Sequence, residues 1–219
     1  MDDVNINTAK RIYGNDLKKL TTVTNMNSGF KGFHFLNRSK AVDIRKFDRW
    51  INDLVNKKKG CIRLRPFASF TLPGSHDAMT YAYSGNFFTR HTAIKGGTKT
   101  QSLRLVEQFK IGIRYFDIRV KANSKGFLYG VHGKIKFTHV DAAREIRDLL
   151  LLARLNEEPI VIKFKHNVKA YPILRNIASG YASNLISHNE YWEEPLYNLV
   201  KRDKFFAFFI NAKKPKNLH

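Results

Sequence analysis

Residues Gly112 to Val120 read GIRYFDIRV, an apolar and aromatic run whose charges recur on alternate positions. Side chains alternate across a strand, so Ile113, Tyr115, Asp117 and Arg119 share one face and Arg114, Phe116, Ile118 and Val120 the other. A carboxylate and a guanidinium on the same side of an otherwise apolar strand require partners or water. Taken alone, the pair would be a local ion pair at a strand end.

Four further segments read as strands from their β-branched and aromatic content between breakers: RPFASFTLPG (65–74), GFLYGVHG (126–133), PIVIKFKH (159–166) and KFFAFFIN (204–211). Helical patterns lie around and between them. In KFDRWINDLV (46–55), Phe47, Trp50, Ile51, Leu54 and Val55 fall on one helical face. THVDAAREIRDLLLLARL (138–155) is the strongest helix, with Thr138 and Asp141 read as a capping box. YPILRNIASGYASNLI and EEPLYNLV are weaker helices, and residues 84–100, without a clear period, read as a long loop. This alternation predicts an α/β fold with a largely parallel sheet.

The 219 residues suffice for one substantial core, and 43% hydrophobic residues place the chain among ordinary globular proteins. Residues 1–42 read as a basic extension and residues 43–219 as the organised domain. A net charge of +21 favours anionic partners of any kind, so charge alone does not choose among lipid, nucleic acid and phosphorylated small molecules. One cysteine, Cys61, excludes an internal disulfide and a thiolate metal cluster. The start, MDDVNINTAK, lacks the basic and apolar regions of a secretory signal, and no apolar run approaches the ~20 residues of a membrane span. A soluble or peripheral membrane protein is expected.

Four of the strands bring ionisable groups to or near their C-terminal ends: His76 and Asp77, Asp117 and Arg119, His132, and Lys163 with Lys165. In parallel α/β folds that edge is where loops converge and ligands bind. A lone histidine at a strand end is ordinarily structural; four such endings together point to a site. Two histidines can divide general base and general acid between them near neutral pH. An arginine suits a phosphate on which charge is building, and the carboxylates can orient or stabilise an imidazole. The set suits cleavage of a phosphodiester by a hydroxyl of the substrate itself. GSHD lacks the order of a nucleophile elbow, KGGTKT lacks that of a P-loop, and no histidine pair has H-E-x-x-H spacing.

LPGSHDAMT, QSLRLVEQFKIGIRYFDIRV, FLYGVHG and PIVIKFK resemble, in order and rough spacing, the X-type catalytic region of bacterial-style phosphatidylinositol-specific phospholipases C. The resemblance covers about residues 43–211, including the FDRWI helix. It implies a TIM-barrel-like phosphodiesterase in which His76 takes the proton of the inositol 2-hydroxyl and Arg119 stabilises the phosphoryl oxygens. His132, helped by Asp77, would protonate the departing diacylglycerol oxygen, with Asp117 supporting the site beside Arg119 and a cyclic inositol phosphate as product. Lys165 matches a lysine that contacts the inositol ring, and Lys163 shares its face of the strand. Calcium-dependent relatives carry an asparagine after the first histidine and acidic ligands on the second and fourth strands. Asp77, Arg119 and the lysines stand there instead, so no metal and no other cofactor is expected.

A closed barrel of this type has eight strands in ~250 residues, whereas five are read here, so an incomplete barrel is expected. The resemblance also leaves His76 without the aspartate of a later strand that orients it, and open sheet edges would invite a second copy or another partner. The expected partners are anionic phospholipid, phosphatidylinositol above all, and the membrane surface. Two alternatives remain: a catalytically impaired lipid- or phosphate-binding module of the same fold, and a basic nucleic-acid-binding protein, for which no recognition motif is present.

Overall fold

In the computed structural model, which describes residues 47–56, 61–82 and 99–210, Tyr115–Ala122 forms the central strand of the sheet. This strand, β2, alternates half-buried and buried side chains along its whole length, as its sequence requires. Its first two residues pair in parallel with β1 (Gly74–Ser75), and its last three pair antiparallel with β3 (Leu128–His132). β4 (Ile135–Phe137) extends β3 as a hairpin. On the other side β5 (Ile160–His166) runs parallel to β2, in register from Tyr115 with Val161 to Val120 with His166. Beyond it lie β7 (Phe206–Ile210) and, against the first two residues of β7, the short β6 (Leu185–Ile186). The order is β4-β3-β2-β5-β7-β6, and the sheet does not close on itself among the described residues.

The α/β expectation holds, and five strands become seven. The two additional ones are three and two residues long, too short for periodicity to reveal. The sheet is also less parallel than expected, because β3 and β4 form antiparallel pairs. The first expected strand is mostly not one. Phe67–Ser69 closes a 3₁₀ turn with Ser69 N–H on Pro66 O and Phe70 N–H on Phe67 O, so that beyond a single bridge from Pro66 to Pro195 the segment joins the sheet at Gly74, continued by Ser75. Phe67 instead packs edge-on against Tyr191 and Phe70, so its apolar character serves a buried aromatic contact rather than a strand face.

Among the described residues six α-helices accompany the strands: α1 (Trp50–Asn56), α2 (Leu105–Lys110), α3 (Ala142–Leu155), α4 (Tyr171–Ser179), α5 (His188–Glu193) and α6 (Leu196–Lys201). α3 buries Ile146, Leu149, Leu150 and Ala153 completely, as do β2 and β5 with Phe116, Ile118, Val120, Ile160 and Ile162. Each of these side chains larger than alanine stabilises the fold by about 1.5–3 kcal/mol. The cap of α3 is Asp141 alone, accepting from Ala143 N and Arg144 N; Thr138 lies upstream and takes no part, contrary to the expected capping box. Pro195 divides α5 from α6. The basic extension at 1–42, nearly all of the long loop and Asn211 lie outside the described residues.

One buried ion pair ties β2 to the N-terminus of α1. Arg114, on the apolar face of the strand, is fully buried with Glu158, Nε to Oε1 at 2.7 Å. The guanidinium also donates to the carbonyls of Phe109, Ile113 and Phe47 and stacks 4.0 Å over the Phe109 ring. Glu158 accepts from Ile51 N at 2.8 Å and Asn52 N at 2.9 Å, satisfying two of the free donors in the first turn of α1. Burial pushes the Glu158 carboxyl up and the Arg114 guanidinium down, and their pairing opposes both shifts.

Close packing also governs β3. A Cβ on Gly130 would stand 2.9 Å from Met79 Cβ and 3.0 Å from the Phe137 ring. Met79 follows Asp77 by two residues, so crowding here pushes on the turn that carries His76 and Asp77. Gly130→Ala is expected to cost about 1–3 kcal/mol, as overpacking does, read as a lower denaturation midpoint. An unchanged midpoint would show that Met79 gives way freely.

Candidate active site

The half-buried face of β2 presents Asp117 and Arg119, two residues apart and therefore side by side. Arg119 donates to Asp117 Oδ2 from Nη2 at 3.0 Å and from Nε at 3.2 Å. β1 ends at Ser75, and the chain turns immediately over β2, with Ala78 N–H donating to the Asp117 carbonyl at 2.9 Å. Asp77 sits in that turn at φ +49°, a left-handed conformation that aspartate tolerates better than most residues.

The turn lowers two side chains onto the strand. His76 places Nδ1 3.2 Å from Asp117 Oδ2 and Nε2 3.2 Å from Asp77 Oδ2. Asp77 is buried, and Arg119 Nε pairs with its Oδ1. His132 Nε2 completes the group at 3.1 Å from Asp77 Oδ2. Asp77 thus faces two imidazoles and a guanidinium at ion-pair distance, yet neither of its oxygens accepts an aligned hydrogen bond. Of the three neighbours, Arg119 is the one fixed cation. The imidazole of His76 is two-thirds exposed although both of its nitrogens face carboxylates, and that of His132, with Nε2 toward Asp77, is just over a quarter exposed.

His132 does not arrive from the end of a parallel strand. β3 runs antiparallel to β2 and returns the chain toward Asp77, and a two-residue hairpin loop with Gly133 at φ +59° follows it. A positive φ at the first loop position is a glycine role in such hairpins.

Support for the turn comes from residues that the sequence reading passed over. The His76 carbonyl accepts from Gln101 Nε2 at 2.9 Å and Thr100 Oγ1 at 3.2 Å. Thr80 Oγ1 accepts from the N–H groups of Thr100 and Gln101, and buried Gln108 donates to the Ala78 carbonyl at 2.9 Å. Single uncharged side chains such as Thr80, Thr100 and Gln101 carry no periodic signal, and Gln108, on the short α2, reads as one more helical position.

Lys163 and Lys165 stand on the same face, one strand away. Register sets Lys163 beside Asp117 and Lys165 beside Arg119, and both are exposed. Among the described residues neither makes an ion pair. His166, by contrast, turns Nδ1 to the Asn167 carbonyl and stacks on Tyr171, a structural position.

The described residues therefore bring His76, Asp77, Asp117, Arg119 and His132 into one cluster, with the two lysines flanking it. The carboxylate nearest His76 Nδ1 is Asp117, at 3.2 Å, on β2 rather than on a later strand. Ligand atoms of His76, Asp77 and Asp117 lie within 4.8 Å of one another, a spacing a divalent ion could bridge. Arg119, however, pairs with both carboxylates and sets a fixed positive charge among them.

No protein-family model matches the sequence. A PI-PLC X-box domain-containing protein of Dictyostelium discoideum is 29% identical over 144 residues, which are 61% of this chain and 18% of that protein. A 1-phosphatidylinositol phosphodiesterase of Listeria monocytogenes is 28% identical over 137 residues, 61% of this chain and 40% of that enzyme. A double mutant of the phosphatidylinositol-specific phospholipase C from S. aureus superposes with a TM-score of 0.53 at 20% identity, covering 77% of this chain and 54% of that one. That likeness shows the fold. The chain spans less than half the length of either sequence relative and about half that of the solved structure. Among the described residues no helix is long and apolar enough to cross a membrane. Sequence relatives and shared fold together support a phosphatidylinositol-specific phospholipase C X-type region in this chain, partial with respect to those relatives.

Proposed function

We propose that the cluster cleaves the phosphodiester of a phosphatidylinositol-type lipid by paired histidine acid-base chemistry, without a metal ion. The observation that carries this reading is the sharing of one buried carboxylate, Asp77, by both imidazoles and by the guanidinium. His76, backed by Asp117, takes the proton of the inositol 2-hydroxyl as that oxygen bonds to phosphorus. Arg119 faces the oxygens on which charge accumulates, where a preorganised donor is most effective. The bond from phosphorus to the diacylglycerol oxygen breaks, and His132 delivers a proton to that oxygen. The products are a cyclic inositol phosphate and diacylglycerol.

Arg119 performs the electrostatic work that a divalent ion would otherwise do, and a guanidinium already paired with both carboxylates repels such an ion. The basic balance of the chain assists attraction to an anionic membrane, at up to about 1 kcal/mol for each Lys or Arg near the surface.

The test is release of cyclic inositol phosphate from phosphatidylinositol vesicles in the presence of chelator. Wild type is expected to turn over, and His76→Ala to lose about 10²–10⁴ in rate, the range that general acid-base catalysis supplies. Loss of turnover on chelation would overturn the metal-free reading, and full activity in His76→Ala would remove the histidine from its role. Vesicle binding without turnover in wild type would instead identify a binding module.

A further inference from the structure

We infer that Glu145, a buried carboxylate on α3 outside the cluster, is a positioning residue for His76, acting through Arg104 and Tyr81 on the turn that carries His76 and Asp77. This rests on the chemistry proposed above and adds to it a residue that touches neither substrate nor reacting atoms.

The turn is held from both sides by one stretch of chain. Ahead of α2, Gln101 and Thr100 donate to the His76 carbonyl, and from α2 itself Gln108 donates to the Ala78 carbonyl. The carbonyls on either side of Asp77 are therefore fixed by residues 100–108. A non-glycine residue at positive φ persists where its surroundings over-determine it, and these contacts supply that constraint at Asp77.

That stretch is anchored at Arg104, three residues after Gln101 and four before Gln108. The guanidinium donates to Glu145 Oε1 from Nη2 at 2.7 Å and from Nε at 3.2 Å. The Arg104 N–H donates to Glu107 Oε2 at 2.8 Å and starts α2. Glu145 stands in the first turn of α3, with its side chain 7% exposed, so water screens the pair little from the carboxylate side.

Tyr81 brings the turn to the same carboxylate. It follows Thr80, whose Oγ1 accepts from the N–H groups of Thr100 and Gln101. Burial, and after it Glu145, push the phenol up, so the hydroxyl stays protonated beside the carboxylate. That hydroxyl and Glu145 Oε2 are both buried without an aligned partner, and they complement each other as donor and acceptor.

The turn through Tyr81 and the clamp through Arg104 thus converge on one side chain. The proposed acid-base steps make no use of Glu145. Its burial carries a desolvation cost that an apolar residue would avoid, and what the charge secures is the placement of the two segments that meet at His76.

The experiment follows the full chain on phosphatidylinositol vesicles in the presence of chelator. Glu145→Gln keeps the size and an oxygen acceptor and removes the charge. It is expected to lower kcat about 10-fold or more with KM unchanged, since a misplacement of about 1 Å caused far from the chemistry costs up to about 100-fold. Gln101→Leu cuts the clamp and should lower kcat similarly, and the two together should cost no more than the larger alone, as for residues coupled through shared contacts. In His76→Ala, adding Glu145→Gln should change nothing. A second arm needs no turnover and reads the histidine ring resonances of the free protein by NMR. The His76 resonance should shift in Glu145→Gln, and that of His166, held by Asn167 and Tyr171, should not.

A folded Glu145→Gln variant with full kcat, or one in which KM alone rises, overturns the inference and leaves the proposed chemistry standing. Effects of Glu145→Gln and Gln101→Leu that multiply overturn it too. An unmoved His76 resonance does so whatever the kinetics give. Wild type without turnover refutes the proposed chemistry, and a shifted His76 resonance then supports the positioning role by itself. Should Glu145→Gln fail to fold, Arg104→Lys, which keeps the charge and gives up one of the two donors, is held to the same outcomes.

Discussion

Glu158→Ala should lower the stability of the protein by about 3–5 kcal/mol, the cost of leaving a buried charge without its partner. Arg114 and Glu158 are both fully buried, and the guanidinium has no route to water when its carboxylate is removed. The same change strips α1 of the acceptor for Ile51 N and Asn52 N, comparable to loss of a cap at about 1 kcal/mol. Glu158→Gln keeps an acceptor for those two donors and should fall between wild type and the alanine variant. Arg114→Met with Glu158→Leu removes both charges and should be less damaging than either single truncation. Urea denaturation checks the series through its midpoint at unchanged slope. A loss below about 1 kcal/mol in Glu158→Ala would mean that water reaches Arg114 and that the ion pair is not sealed. Arg114 immediately precedes β2, the strand that presents Asp117 and Arg119.

Asp77→Asn should reduce turnover by about 10²–10⁴ while the protein remains folded. The substitution preserves size and tolerates the positive φ of the turn, so the backbone that places His76 and Ala78 is retained. What disappears is the negative charge that His76, His132 and Arg119 share. With it goes the carboxylate that lies 3.1 Å from His132 Nε2 and pairs with the Arg119 guanidinium. The loss should fall on kcat more than on KM, because the exposed face of β5 beside the cluster, with Lys163 and Lys165, is unchanged. Asp77→Ala should match the asparagine variant in rate and be less stable than it. An asparagine variant retaining a large share of wild-type activity would show that Asp77 acts as a spacer rather than as a charge.

Much of the cluster was legible in the chain. The alternation in GIRYFDIRV sorts Asp117 and Arg119 from Arg114 and Phe116 with no reference to any other residue, because strand geometry is local. The same holds for Lys163 and Lys165 on β5, and for α3, whose fourteen residues give periodicity room to register. Short elements were lost for the opposite reason: β4 and β6 exist through their partners, and two or three residues express no period. RPFASFTLPG misled because Phe67 and Phe70 are apolar for the sake of an aromatic contact across the chain, not a strand face. Arg114 carried no sign of its buried partner, since Glu158 is forty-four residues away.

The identity of the chemical groups and the face each one takes on its own strand were therefore settled by residue order, through short-range sterics and alternation. Their meeting was not. That Asp77 receives two histidines and an arginine depends on a left-handed turn drawn onto β2 by one backbone hydrogen bond, and on β3 folding back as a hairpin rather than continuing in parallel. The same tertiary arrangement sets Asp117 against His76 and leaves the lysines on the flank opposite His132. Distances between groups far apart in sequence follow from packing and register, and no local rule encodes them.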